Sequence, residues 1–255
     1  NSMIYGLGFV AIHIIGGTVA TKQPAMTAAA IASTISEVKG RKAARFTKLT
    51  ELVVDIMRTQ FIAIMGNISI AMPIALLISS LWLYGLGRPL TSEASAEHLL
   101  HDLNPFTSLA IFHAAIAGVY LYISGLIAGY YDNLAVHNKI GERIRNQPTL
   151  KQMMTPVTLL RFSDFIERNL GAIMSNFLFG CFLGSTATIG YIFGLPIDIR
   201  HIAFASANFI HGIFNIYANT GEFPEIGIIL VSLFGVMVIG MINLLVSFSL
   251  ALMTA

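Results

Sequence analysis

Six stretches of this chain contain no Asp, Glu, Lys or Arg: 1–21, 59–87, 103–131, 169–197, 201–221 and 226–255. No other feature limits the fold so tightly. About 20 apolar residues in a helix cross the hydrocarbon core of a bilayer, so most of these runs can span it with interfacial ends to spare. A soluble helical core would need polar faces that the runs lack. The chain is 55% hydrophobic and 11% charged, far from an average soluble domain. The expectation is an all-α, polytopic integral membrane protein, with residues 1–255 forming a single transmembrane domain.

Charge sets the orientation. Of 15 Lys and Arg, seven lie in 22–58 and six in 139–168, whereas the linkers 88–102 and 198–225 are net acidic. The positive-inside rule puts the two basic loops in the cytoplasm and the acidic linkers outside. This predicts a bacterial inner-membrane protein, with the N-terminus of this chain outside. The first run has no basic segment before it and leads into Lys22-Gln23-Pro24, so a signal peptide is not expected.

Five membrane helices are predicted at 3–20, 61–83, 107–130, 170–193 and 224–253. Pro24 suits a first helical position, and Thr155-Pro156 pairs a cap with a proline to start another helix. Ser92 followed by Glu93 reads as the capped start of a short outer helix, and Asn104-Pro105 as the cap of the third span. After Gly40, the cluster Arg41, Lys42, Arg45 and Lys48 reads as an amphipathic helix lying on anionic lipid headgroups.

The stretch 180–212 is broken in the middle. An apolar run stops at Gly194-Leu195-Pro196, where a proline removes a donor and a glycine loosens the backbone. Asp198, Arg200 and His201 follow at once, then 201–221 resumes as a helix with Asn208, His211 and Asn215 on one face. Charges there must meet water or a polar cavity. The segment is predicted to be re-entrant or interfacial, which keeps every acidic residue of its linker outside.

A shift of 109 residues lays Asp55 on Asp164, Ala63-Ile64-Met65 on Ala172-Ile173-Met174, and Asn67 on Asn176. It also lays Gly85-Leu86 on Gly194-Leu195. The reading is a parallel internal repeat with units near 1–100 and 110–220.

Chemistry is sparse. The histidines pair at 98/101 and 201/211 without a carboxylate or cysteine set to complete a metal group, so no metal and no cofactor is expected. Ser185, Thr186 and Thr188 lack a nucleophile elbow, and no phosphate-binding or dinucleotide loop occurs, so no catalytic residue is assigned. What remains is a candidate ligand-binding set of Lys22, Gln23, Asp198, Arg200, His201, Asn208 and His211. A helix N-terminus and a guanidinium there suit an anionic group. Asp198 and Arg200 equally suit a plain interfacial ion pair.

Two strings, HIIGGTVATKQPAMTAAAIA (13–32) and GLPIDIRHIAFASAN (194–208), resemble signature stretches of a bacterial membrane-protein family labelled "site-specific recombinase", or Gcr-like. The resemblance runs through the chain and corresponds to the C-terminal membrane portion of longer members. The label implies DNA recombination. Strand exchange needs a tyrosine or serine nucleophile among arginines that hold phosphate, and here every tyrosine lies in or beside an apolar run. Nucleic acid is therefore not expected as a partner. The leading expectation is a transporter-like domain that moves or binds a polar solute or lipid headgroup. The alternatives are a scaffold docking a membrane partner or a soluble N-terminal region, and a recombination-associated protein as the label states.

Overall fold

A computed structural model of the protein describes residues 2–14 and 42–254. Among the described residues there are nine helices and no strand. They are α1 (Ser2–Ile14), α2 (Lys42–Leu86), α3 (Glu93–His101), α4 (Ala110–His137), α5 (Ile140–Asn146), α6 (Pro148–Met153), α7 (Pro156–Phe193), α8 (Ile202–Thr220) and α9 (Ile226–Thr254). Four segments are long and apolar enough to cross a membrane: Phe61–Leu86 within α2, and all of α4, α7 and α9.

Local chemistry explains the boundaries. Ser92 accepts from the Ser95 amide at 3.4 Å and Thr155 from the Thr158 amide at 3.3 Å, so both predicted caps form. Helix α7 ends where Gly194 turns left-handed at φ 64°, the conformation glycine enters without a Cβ penalty. Two expected breaks do not occur. The segment begun by Thr155-Pro156 continues without interruption to Phe193 as one helix of 38 residues, since no breaker separates it from the apolar run. Likewise α2 is one helix of 45 residues that runs through Pro73. Asn104 caps a tight turn, accepting from Phe106 N at 2.9 Å, and the third predicted span starts later, at Ala110. That span also runs seven residues past its predicted end at 130, to His137. Of the first predicted helix, 15–20 lie outside the described residues, as do Pro24 and Gly40.

The chain forms two compact units. One contains α1, α4 from Tyr120 onward, α5, α6, α7 and the end of α9. Here α1 lies on α7 along glycines: a methyl group on Gly180 would come within 2.6 Å of Gly6 Cα, and one on Gly184 within 2.6 Å of Ser2 Cα. Small residues four apart let two backbones approach this closely, the usual device for helix packing without a hydrophobic drive. Phe9 and Phe179 close the seam with ring centroids 5.4 Å apart, and His13 Nε2 meets Asn169 Oδ1 at 3.1 Å.

The other unit contains α2, α3, the start of α4, α8 and most of α9. Its core includes Ile64, Leu103, Ala114, Ile202, Phe209 and Ile239, with α2 and α3 both packed on α8. Gly240 lets α9 close on Ile202, whose Cδ1 would lie 2.8 Å from an added methyl. This core fixes the start of α8, where the charged residues sit.

Candidate functional site

The seven residues between Gly194 and α8 are not helical, so most of their backbone groups must find partners elsewhere. They find them on α4 and α9. Arg200 N donates to His113 O at 3.3 Å, and His113 Nε2 lies 3.0 Å from Pro196 O. Asn243, buried in the middle of α9, makes the decisive contacts. Its Nδ2 donates to Arg200 O at 2.9 Å and to Ala114 O at 2.8 Å, while its Oδ1 accepts from Ile202 N at 3.0 Å. One amide side chain thus satisfies the last extended carbonyl and the first helical N–H.

With its backbone pinned, Arg200 is buried and its guanidinium lies between two carboxylates. Nη2 donates to Asp102 Oδ2 at 2.6 Å, and Nη1 donates to Asp198 Oδ2 and, at 2.9 Å, to Ile199 O. The side chains of Arg200, Asp102 and Asp198 are 11%, 25% and 40% exposed, so the carboxylates face the surface and the guanidinium lies behind them. Arg200 Nε is buried without a hydrogen-bond partner. Asp102 Oδ2 also meets His98 Nδ1 at 3.2 Å. Two carboxylates against one guanidinium leave the cluster's outer face acidic.

His201 is the N-cap of α8, its Nδ1 3.4 Å from Ala203 N. Burial pushes its imidazole down from 6.5 to about 4, so the ring is neutral at physiological pH. The predicted polar face of α8 exists but does not gather at Arg200. His211 Nδ1 lies 2.7 Å from Ser79 Oγ of α2. Asn215 accepts from Leu90 N at 2.8 Å and from Thr91 N at 3.3 Å, anchoring the linker before α3. Asn208 is half-buried on α8. Of the sequence-derived ligand set, Asp198 and Arg200 are therefore brought together, with His201 adjoining them. Lys22, Gln23 and Arg41 lie outside the described residues, and Lys42, Arg45 and Lys48 fall in the first turns of α2.

Sequence reasoning passed over Asp102, His113 and Asn243. The last two carried a signal, since a polar side chain inside an otherwise apolar run is expensive and needs a reason. Among the described residues no three His, Cys, Asp or Glu side chains converge as a metal group.

The described residues are largely helical, and four of their helices are long and apolar enough to cross a membrane, which is the make-up of a helical membrane protein. A family described as site-specific recombinase matches across residues 1–255, and the chain belongs to that family. Neither the curated proteins nor the solved structures contain a match.

Proposed function

We propose that the chain is an integral inner-membrane scaffold domain, in which the broken segment before α8 is a structural clasp rather than a substrate path. One observation carries this reading: both terminal nitrogens of Arg200 are taken by Asp102 and Asp198, and Asn243 consumes the backbone groups beside it. A ligand would have to displace partners already in place. A scaffold gains from such a lock, because it presents a fixed surface to a membrane partner or to a soluble N-terminal region.

The orientation belongs to the same proposal. The basic loops face the cytoplasm, the N-terminus of the chain and the α3 and α8 linkers lie outside, and α1 belongs to a fifth span. Helix α8 is re-entrant or interfacial; it has 19 residues yet is not among the four apolar enough to cross. A parallel repeat is supported by the starts of α3 at Glu93 and α8 at Ile202, which are related by the same shift of 109 residues as the sequence matches.

A second reading, a polar solute or lipid headgroup bound at the clasp, draws on the unpartnered Nε of Arg200. In that reading Asp198, Arg200 and His201 form the core of a transporter-like site. Recombination, which the family description names, has less support. All eight tyrosines lie on helices, and the Tyr120 hydroxyl accepts from Thr186 at 3.1 Å inside its unit.

The deciding experiment purifies the protein from bacterial membranes in mild detergent and compares it with Arg200→Ala. The scaffold reading expects a stoichiometric membrane partner and no solute that raises the melting temperature. A solute that stabilises the parent but not a folded Arg200→Ala protein would overturn it in favour of the second reading. Salt-sensitive binding of DNA by the purified chain would restore recombination.

A further inference from the structure

We infer that the depression at the end of α4 is a binding site for the phosphate of an anionic phospholipid, an inference that rests on the membrane placement proposed above. The depression has a volume of about 340 Å³ and is lined by His137, Asn138, Lys139, Glu142, Arg143 and Asn146. It is distinct from the clasp and from the basic cluster at the start of α2.

The local backbone builds it. Helix α4, one of the span-like four, ends at His137, and the chain reverses through Lys139, the one non-glycine residue with positive φ among those described (φ 51°). Helix α5 then starts at Ile140, so Lys139 and Arg143, four apart, stand one turn above the other. Their charge is not consumed nearby. Lys139 meets Glu142 at 3.8 Å, but the two side chains are 75% and 56% exposed, which makes the pair weak. Arg145 shows the contrast: it is held by Asp164 at 2.9 Å and Ser163 at 3.3 Å, leaving Arg143 as the arginine of α5 that lines the depression. Asn146 accepts from Lys151 Nζ at 3.3 Å through Oδ1, so its amide N–H groups are the part left to donate.

The surroundings select the ligand. Exposed apolar side chains lead into the depression along the end of α4: Tyr130 and Val136. A phosphodiester with acyl chains uses both the cations and the apolar end of α4, at the depth where juxtamembrane basic residues meet headgroups. Free phosphate would use only the first.

The test titrates lipid onto the full chain in detergent micelles, read by native mass spectrometry. The probes are phosphatidylglycerol, phosphatidylcholine and inorganic phosphate. The variant is Lys139→Gly with Arg143→Gln. Glycine suits the positive φ and glutamine is a good helix residue, so the fold is retained. A basic side chain at a headgroup contributes roughly five-fold in affinity, so the double variant should weaken phosphatidylglycerol binding about 25-fold. Arg88→Ala, a charge removed from a different linker, should leave binding unchanged. Equal binding of phosphatidylcholine by the parent, or an unchanged affinity in the double variant, overturns the inference. Competition by inorganic phosphate at comparable concentration overturns it too, in favour of a free oxyanion site. Failure of the chain to partition into membranes at all would instead sink the membrane placement, and is scored separately by carbonate extraction.

Discussion

Replacing Asn243 by Leu is the sharpest perturbation of the clasp. Leucine keeps the bulk of the side chain but removes its three hydrogen bonds. Ala114 O lies inside α4, where the helix ladder still supplies it with a donor. Arg200 O and Ile202 N have no such reserve, since Asn243 is their partner and both are buried with the core at the start of α8. An orphaned buried backbone group costs about 1–3 kcal/mol, so two cost about 4 kcal/mol. Asn219→Ala is the control: Asn219 also bonds two carbonyls, Thr91 O at 3.0 Å and Asn215 O at 2.6 Å, but it is exposed and water can replace it. Its cost should stay below about 1 kcal/mol. Denaturant unfolding in mixed micelles, followed by the circular dichroism of the helices, measures both. If Asn243→Leu unfolds at the same denaturant concentration as Asn219→Ala, the reasoning about orphaned groups is wrong.

Arg200→Ala should cost roughly 2–4 kcal/mol, less than a fully buried pair because Asp198 is partly exposed, and Arg200→Lys about half of that because an ammonium cannot fork between two carboxylates; equal unfolding midpoints for the two variants would refute the fork. Gly180→Ala should destabilise by about 1–3 kcal/mol because its methyl meets the backbone of Gly6, whereas Gly8→Ala, with nothing within 4 Å, should be neutral in the same melts. His201 has a lowered folded pKa, so the unfolded chain binds more protons between the two values; its contribution is full above about pH 6.5 and is lost as pH falls toward 4, roughly 3 kcal/mol in all. A His201→Gln protein should lack that part of the acid sensitivity, and an identical pH profile would exclude the assignment. With Cys181 replaced, single cysteines at Ala44 and Asn146 should label from the cytoplasm and those at Ser95 and Thr220 from outside; cytoplasmic labelling of Thr220→Cys would make α8 a true span.

What could be read from the sequence was whatever depends on near neighbours. Charge-free runs marked the apolar helices, Ser92 and Thr155 marked their own helix starts, and Gly194-Leu195-Pro196 marked a real break. The length of α7 is not legible in composition, because a change from polar to apolar residues is not a boundary. A helix is ended by lost hydrogen bonds, and none is lost between Pro156 and Phe193. The clasp was half legible. Asp198 and Arg200 are two residues apart, so their pairing is a local matter, but Asp102 is 98 residues from Arg200. No periodicity encodes a meeting at that distance. The second carboxylate at Arg200 is therefore a feature that only the fold supplies.

The length of α7 has a mechanical consequence. Its 38 residues make a rod of about 57 Å, against a hydrocarbon thickness of ~30 Å. In a bilayer, roughly half of it must therefore stand clear of the lipid tails, and its start carries Arg161, Asp164, Glu167 and Arg168. Such a rod is a ruler. Placed in a bilayer, it holds its own start at a standoff that no loop could keep, while α5, fastened to it through Arg145 and Asp164, stays at the foot of that projection, close to the apolar run. Anything that grips the free end can also turn or push the buried end directly, because a continuous helix has no slack to absorb the motion.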